Sequence, residues 1–106
     1  MGIEQPDFES DVVTEDDIGT RKPRPFNVIL HNDNYTSMEF VVEILEIIFH
    51  HTKVAATKLM QDVHNSGQAV AGTYTYEIAE TKATEAMSMA RRDGHPLRCS
   101  IEPAKD

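Results

Sequence analysis

Between Phe26 and Ile101 the apolar residues switch repeatedly between a two-residue and a helical period, which restricts this stretch to a domain whose strands and helices share one core. Phe26, Val28 and Leu30 alternate with Asn27, Ile29 and His31, as in a strand ending near His31. Asn32-Asp33-Asn34-Tyr35 is turn chemistry, because Asn and Asp side chains satisfy local backbone groups and tolerate positive φ. Thr36-Ser37-Met38-Glu39 reads as a capping box, with Thr36 as the cap of a first helix that runs to about His50. Its apolar residues (Val41, Ile44, Leu45 and Ile48 on one face, Phe40, Ile47 and Phe49 elsewhere) predict the most buried helix. A second helix opens at Thr52 or Lys53, carries Ala55, Ala56, Leu59, Met60 and Val63 at helical spacing, and leaves through Ser66-Gly67. Val70 to Tyr74 reads as a short strand. Thr75 caps a third helix that extends through Arg91 and Arg92, with Ala79, Ala83, Ala86 and Ala90 on its inner face and Gly94 as terminator. Leu97, Cys99 and Ile101 alternate as a last strand after Pro96. The expected order is βααβαβ: an α+β two-layer domain, with a three-stranded antiparallel or mixed sheet packed against three helices.

Upstream the pattern is lost. Residues 1 to 20 carry seven acids and no Lys or Arg, with few apolar residues and no sustained period. Such a segment does not offset its chain entropy, so residues 1–24 are expected to form a disordered acidic arm and residues 25–106 the core domain. With 106 residues and 40% apolar content there is material for one core and no second. The net charge of −8 argues against a nucleic-acid partner, which calls for clustered Lys and Arg. No apolar run is long enough to span a membrane and the N-terminus lacks a basic-then-apolar signal, so a cytoplasmic location is expected. The single cysteine, Cys99, is read as an inert buried thiol.

Chemistry is sparse. His50 and His51 are adjacent and therefore about 100° apart on a helix, so they do not chelate as an i, i+4 pair does and are expected at a solvated helix end. Asp62 and His64 do not share a helical face, the serines lack a nucleophile-elbow context, and there is no Gly-rich phosphate loop. No enzyme, metal or cofactor is expected. What stands out is a polar cluster beside apolar helix ends: Asn32, Asp33 and Asn34 before the first helix, and His64 at the end of a helix bearing Met60 and Val63.

These residues fall into blocks that resemble the ClpS family. The segment from Val28 to Phe40, Val-Ile-Leu-His-Asn-Asp-Asn-Tyr-Thr-Ser-Met-Glu-Phe, is similar to its signature. Leu59-Met60-x-x-Val63-His64-x-x-Gly67, Glu77-x-Ala79-Glu80-Thr81-Lys82 and His95-Pro96-Leu97 follow in family order. The resemblance implies an adaptor that binds the free α-amino group and bulky apolar side chain of a destabilising first residue (Leu, Phe, Tyr or Trp), the N-degron. Asn32, Asp33, Asn34 and His64 would seat the ammonium, which has three donors and needs acceptors. Thr36, Met38, Val41, Met60, Val63 and Leu97 would line the side-chain slot, with Met38 as a gate against β-branched residues. Glu77 and Lys82 would dock on the N-terminal domain of the ClpA unfoldase, and the acidic arm would act during delivery.

Asn34 stands where many relatives carry a second acid, which removes a charge from the ammonium seat, and charge-assisted hydrogen bonds are about twice as strong as neutral ones. Ser37 stands where they carry proline, and Asp62 adds negative charge nearby. The alternative is an interaction domain of similar architecture, such as the C-terminal domain of the ribosomal stalk protein, which predicts no amine pocket.

Overall fold

The structure, a computed structural model, describes residues 23–105; of the expected acidic arm only Pro23 and Arg24 fall within that range. The element order is β1 (Phe26–His31), α1 (Met38–Ile47), α2 (Lys53–Ser66), β2 (Gln68–Tyr74), α3 (Tyr76–Arg92) and β3 (Arg98–Pro103), the predicted βααβαβ. The three strands form one sheet in the order β2-β1-β3, antiparallel throughout. The most apolar strand, β1, takes the centre, where both its edges are paired.

One face of the sheet carries the helices. Val28 and Leu30 of β1 join Ala71, Phe40, Ile44, Leu45, Val63 and Leu97 in a continuous core. Fully burying a Leu, Ile or Val side chain contributes about 1.5–3 kcal/mol, so α1, with Phe40, Val41, Ile44 and Leu45 inside, anchors the layer as its composition predicts. The alanines of α3 at 79, 83, 86 and 90 are all buried, which lets this helix lie close to the sheet.

Several boundaries differ from the sequence reading, each for a local reason. The cap of α1 is Ser37, whose hydroxyl accepts from the Phe40 amide at 3.1 Å. Thr36 does not serve, because its amide and hydroxyl both donate to Asp33, and Glu39 stays exposed in the first turn. The helix ends at Ile47 and not near His50, because His50 takes up a left-handed φ of 62°. His51 is not solvated at a helix end: it is half-buried, and its Nε2 donates to the Ala71 carbonyl at 2.6 Å, which fixes that nitrogen as the protonated one. Ala71 is the extra residue where the β1–β2 register shifts, Val28 facing Gly72 and Ile29 facing Val70. Strand β2 begins at Gln68, two residues before the expected Val70. Thr75 caps α3 without a side-chain hydrogen bond. Gly67 closes α2 at φ 90° with its amide on the Val63 carbonyl, as expected of a glycine exit.

Among the described residues no helix is long and apolar enough to cross a membrane, and no cluster of His, Cys, Asp or Glu is arranged to hold a metal. Cys99 is half-buried; burial pushes its thiol up to about 12, with Arg91 pulling slightly the other way. At neutral pH it carries no thiolate and is a poor nucleophile.

Candidate functional site

Strand register assembles the site. His31 pairs with Gln68, so the chain leaving β1 runs directly beside the chain entering β2. The next amide, Asn32, donates to the Gly67 carbonyl at 2.9 Å. The loop before α1 is thus tied to the C-terminal end of α2, where His64 stands one turn before Gly67. The two polar clusters that are 30 residues apart in sequence become neighbours in this way.

Asp33 shapes the loop. One carboxylate oxygen accepts from the amides of Tyr35 and Thr36, both at 2.7 Å, and the other accepts from the Thr36 hydroxyl at 2.7 Å. Burial pushes this carboxyl up, but the hydrogen bonds from the Thr36 hydroxyl and from the Thr36 and Tyr35 amides, together with the nearby His95, outweigh it and hold Asp33 below its ordinary value. It is therefore an anion at neutral pH. A carboxylate offers about four lone-pair directions, and three are taken, which leaves one for a ligand. Asn32, Asn34 and His64 are exposed, and their side chains have no hydrogen-bond partner among the described residues.

Beside these groups lies a cavity of about 210 Å³ lined by Asn32, Asp33, Asn34, Thr36, Met38, Val41, Met60, Val63 and His64. Its floor is apolar: Val41 and Val63 are buried and Met60 is half-buried. Met38, 48% exposed, stands at its edge. The volume is below the roughly 300–1,000 Å³ typical of drug-sized ligand pockets, and suits one side chain. The cavity thus joins the acceptor-bearing side chains of Asn32, Asp33, Asn34 and His64 to an apolar slot. Acceptors beside an apolar slot suit a group that is a cation at one end and a hydrocarbon at the other.

Every slot and rim residue expected from the sequence lines this cavity except Leu97, which is 1% exposed and belongs to the core. Glu77 is exposed on the first turn of α3. Lys82 is not a free surface charge: it is half-buried, its Nζ donates to the Ile48 carbonyl at 2.7 Å, and it lies 5.3 Å from the centroid of the Tyr74 ring. Five positions apart on a helix, Glu77 and Lys82 point about 140° from each other and do not share one face. Sequence reasoning missed His95, whose half-buried ring packs on Phe40 with centroids 4.5 Å apart and whose charge bears on Asp33. Its place in the last of the four blocks was the available signal.

Comparison with known proteins bears on the family and the fold. Residues 21–100 match the family described as ATP-dependent Clp protease adaptor protein ClpS. The ATP-dependent Clp protease adapter protein ClpS of Desulfatibacillum aliphaticivorans is 54% identical over 93 residues, covering 88% of this chain and 89% of that protein. That of Caulobacter vibrioides is 48% identical over 93 residues, covering 88% of this chain and 85% of that protein. A solved structure of Agrobacterium tumefaciens ClpS2 bound to L-phenylalaninamide superposes with a TM-score of 0.76 at 36% identity, covering 78% of this chain and all of that one. From signature, fold and cavity together, the chain belongs to the ClpS family of Clp protease adaptors.

Proposed function

We propose that this chain captures proteins by their first residue and delivers them to a ClpA-type unfoldase. The observation that carries the reading is the cavity itself: a 210 Å³ apolar slot whose rim holds one anionic carboxylate with a spare lone pair, two amides and an imidazole. The ammonium of an N-terminal residue donates to that rim, with Asp33 supplying charge and Asn34 and His64 neutral acceptors. The Leu, Phe, Tyr or Trp side chain fills the slot against Val41, Met60 and Val63. Burying it contributes about 1.5–3 kcal/mol, too little for tight binding without the amine contacts, so both halves are needed. Met38 at the edge meets the β-carbon of the bound residue and disfavours a branch there. L-Phenylalaninamide, the ligand of the related structure, has both features this reading requires, a free α-amine and a benzyl side chain.

Delivery uses the exposed face of α3. Glu77 stands there between Tyr76 and Ile78, which are 49% and 48% exposed, and this mixed apolar and acidic surface suits a protein partner. Lys82 supports that face from behind through its bond to Ile48. No chemical step is required of the chain.

The test is binding of a fluorescent peptide beginning with Phe and of the same peptide N-acetylated. The free peptide binds, and acetylation removes most of the affinity because the charge and donors are gone. Equal anisotropy titrations for the two forms would end this reading.

A further inference from the structure

The methionines of this chain do not share one environment. Among the described residues Met60, Met87 and Met89 are half-buried and pack against the core. Met38 differs: it is 48% exposed and stands outside the core cluster. It is the first residue of α1, directly after the Ser37 cap, and it lines both the slot and a neighbouring hollow of about 350 Å³. A small solute therefore reaches its thioether from two sides, although the same side chain forms the edge that a captured residue must pass.

We propose that Met38 is a reversible oxidation site, at which a hydroperoxide converts the thioether to the sulfoxide and so weakens the hold of the slot on apolar first residues. The inference rests on the first-residue reading above. In the oxidation the sulfur lone pair attacks a peroxide oxygen, the O–O bond breaks as the S–O bond forms, and hydrogen peroxide leaves as water. Sulfur gives up two electrons and the peroxide takes them. In the reverse step two thiols take the oxygen away as water and are themselves oxidised to a disulfide. The modified side chain is polar, chiral and one oxygen larger where the thioether was flexible and apolar. Val41, Met60 and Val63 keep the rest of the slot apolar, so a hydrocarbon entering past the sulfoxide strips its water and returns no hydrogen bond. Because Met38 lies outside the core, its oxidation leaves the fold intact, whereas a sulfoxide at Met60, Met87 or Met89 disturbs packing.

The experiment treats the full chain with hydrogen peroxide, follows each methionine by peptide mass spectrometry, and titrates a Phe-first peptide before and after. Met38 is expected to oxidise ahead of Met60, Met87 and Met89, and more slowly when L-phenylalaninamide fills the slot. Once it is converted, affinity is expected to fall by about five- to thirtyfold with the thermal midpoint unchanged. Methionine sulfoxide reductases of both epimer specificities, supplied with a thiol, restore it. Met38→Leu is close in volume and apolar but has no sulfur, so its own affinity should not respond to peroxide, while Met60→Leu should respond as the wild type does. Unchanged affinity in wild type whose Met38 is fully oxidised, an equal loss in Met38→Leu, or oxidation of the packed methionines ahead of Met38 would overturn the site. Untreated protein separates the two levels. If it binds the Phe-first peptide and not the N-acetylated form, yet oxidation has no effect, the switch alone fails; if it binds neither, the switch falls with the slot.

Discussion

Two polar clusters in this molecule are built alike and end differently. At the rim of the slot, the side chains of Asn32, Asn34 and His64 face solvent with no partner among the described residues. Behind the α1–α2 turn, His51 donates to Ala71 and Lys82 donates to Ile48 and lies over the Tyr74 ring, so each cation or donor is matched within the fold. The second cluster holds backbone carbonyls that a bulge and a helix end leave over, which would be costly to leave bare. The first spends nothing on the fold beyond the loop that Asp33 ties. Polar groups of the same types are thus structural where they answer one another, and available for a ligand where they do not.

The sharpest break of this contrast is an exchange of variants. His64→Ala removes one acceptor from the ammonium; hydrogen bonds to charged groups contribute about 1.5–3 kcal/mol, so affinity for a Phe-first peptide should fall by roughly 10- to 150-fold. Its thermal midpoint should barely move. Lys82→Met should do the reverse, leaving peptide affinity unchanged while lowering stability by about 1 kcal/mol, a shift of about 4–8 °C for a domain of this size. Calorimetry and titration on both proteins decide it, and a loss of peptide binding in Lys82→Met with His64→Ala unaffected would invert the assignment.

A second test bears on the gate. Met38→Ala should admit Ile-first and Val-first peptides, with affinities rising by about tenfold, the order of one relieved steric clash. Isothermal titration with an Ile-first peptide reads it; no gain, with Phe binding retained, would make Met38 ordinary packing.

Mild acid leaves the Asp33 charge in place. Asp33 has its pKa lowered in the folded chain, so the stability it supplies is complete above its unfolded value of about 3.9 and is lost as pH falls through the lower folded value. It therefore contributes no loss of affinity between pH 7 and 5. Titration of a Phe-first peptide into wild type and Asp33→Asn at both pH values checks this, and the affinity lost with the charge should be the same at each. A loss much smaller at pH 5 than at pH 7 would show Asp33 taking up a proton inside that interval.

The smallest effect is expected where the fold is strained without a role in binding. His50 is the one non-glycine residue with positive φ among the described residues, and a left-handed residue with a Cβ costs about 1–2 kcal/mol. His50→Gly should raise stability by up to about 1 kcal/mol, reduced by the extra chain entropy of glycine, and leave peptide affinity unchanged.

Period alone made the six elements and their order legible, because each face of β1, α1 and α3 repeats its apolar residues cleanly. The boundaries were less so, since Thr36 and Ser37 are both good caps and only the competing demand of Asp33 on Thr36 decides between them. The slot was legible through its blocks of residues, and not through spacing: nothing in the sequence sets Asn32 beside Gly67 until the β1–β2 register does. Lys82 was hidden for a similar reason, as its partner Ile48 lies 34 positions away and its own neighbours on α3 look like a solvated face.

The central claim, that the free rim groups read an amine while the slot reads its side chain, is tested most directly by following backbone amides in NMR during addition of L-phenylalaninamide and of its N-acetylated counterpart. The account predicts shifts concentrated in residues 32–41 and 60–67 with the free amine, little change at Tyr74 and Lys82, and nearly none anywhere with the acetylated compound at the same concentration. Shifts of equal size with both compounds, or shifts centred on Tyr74 and Lys82, would contradict it.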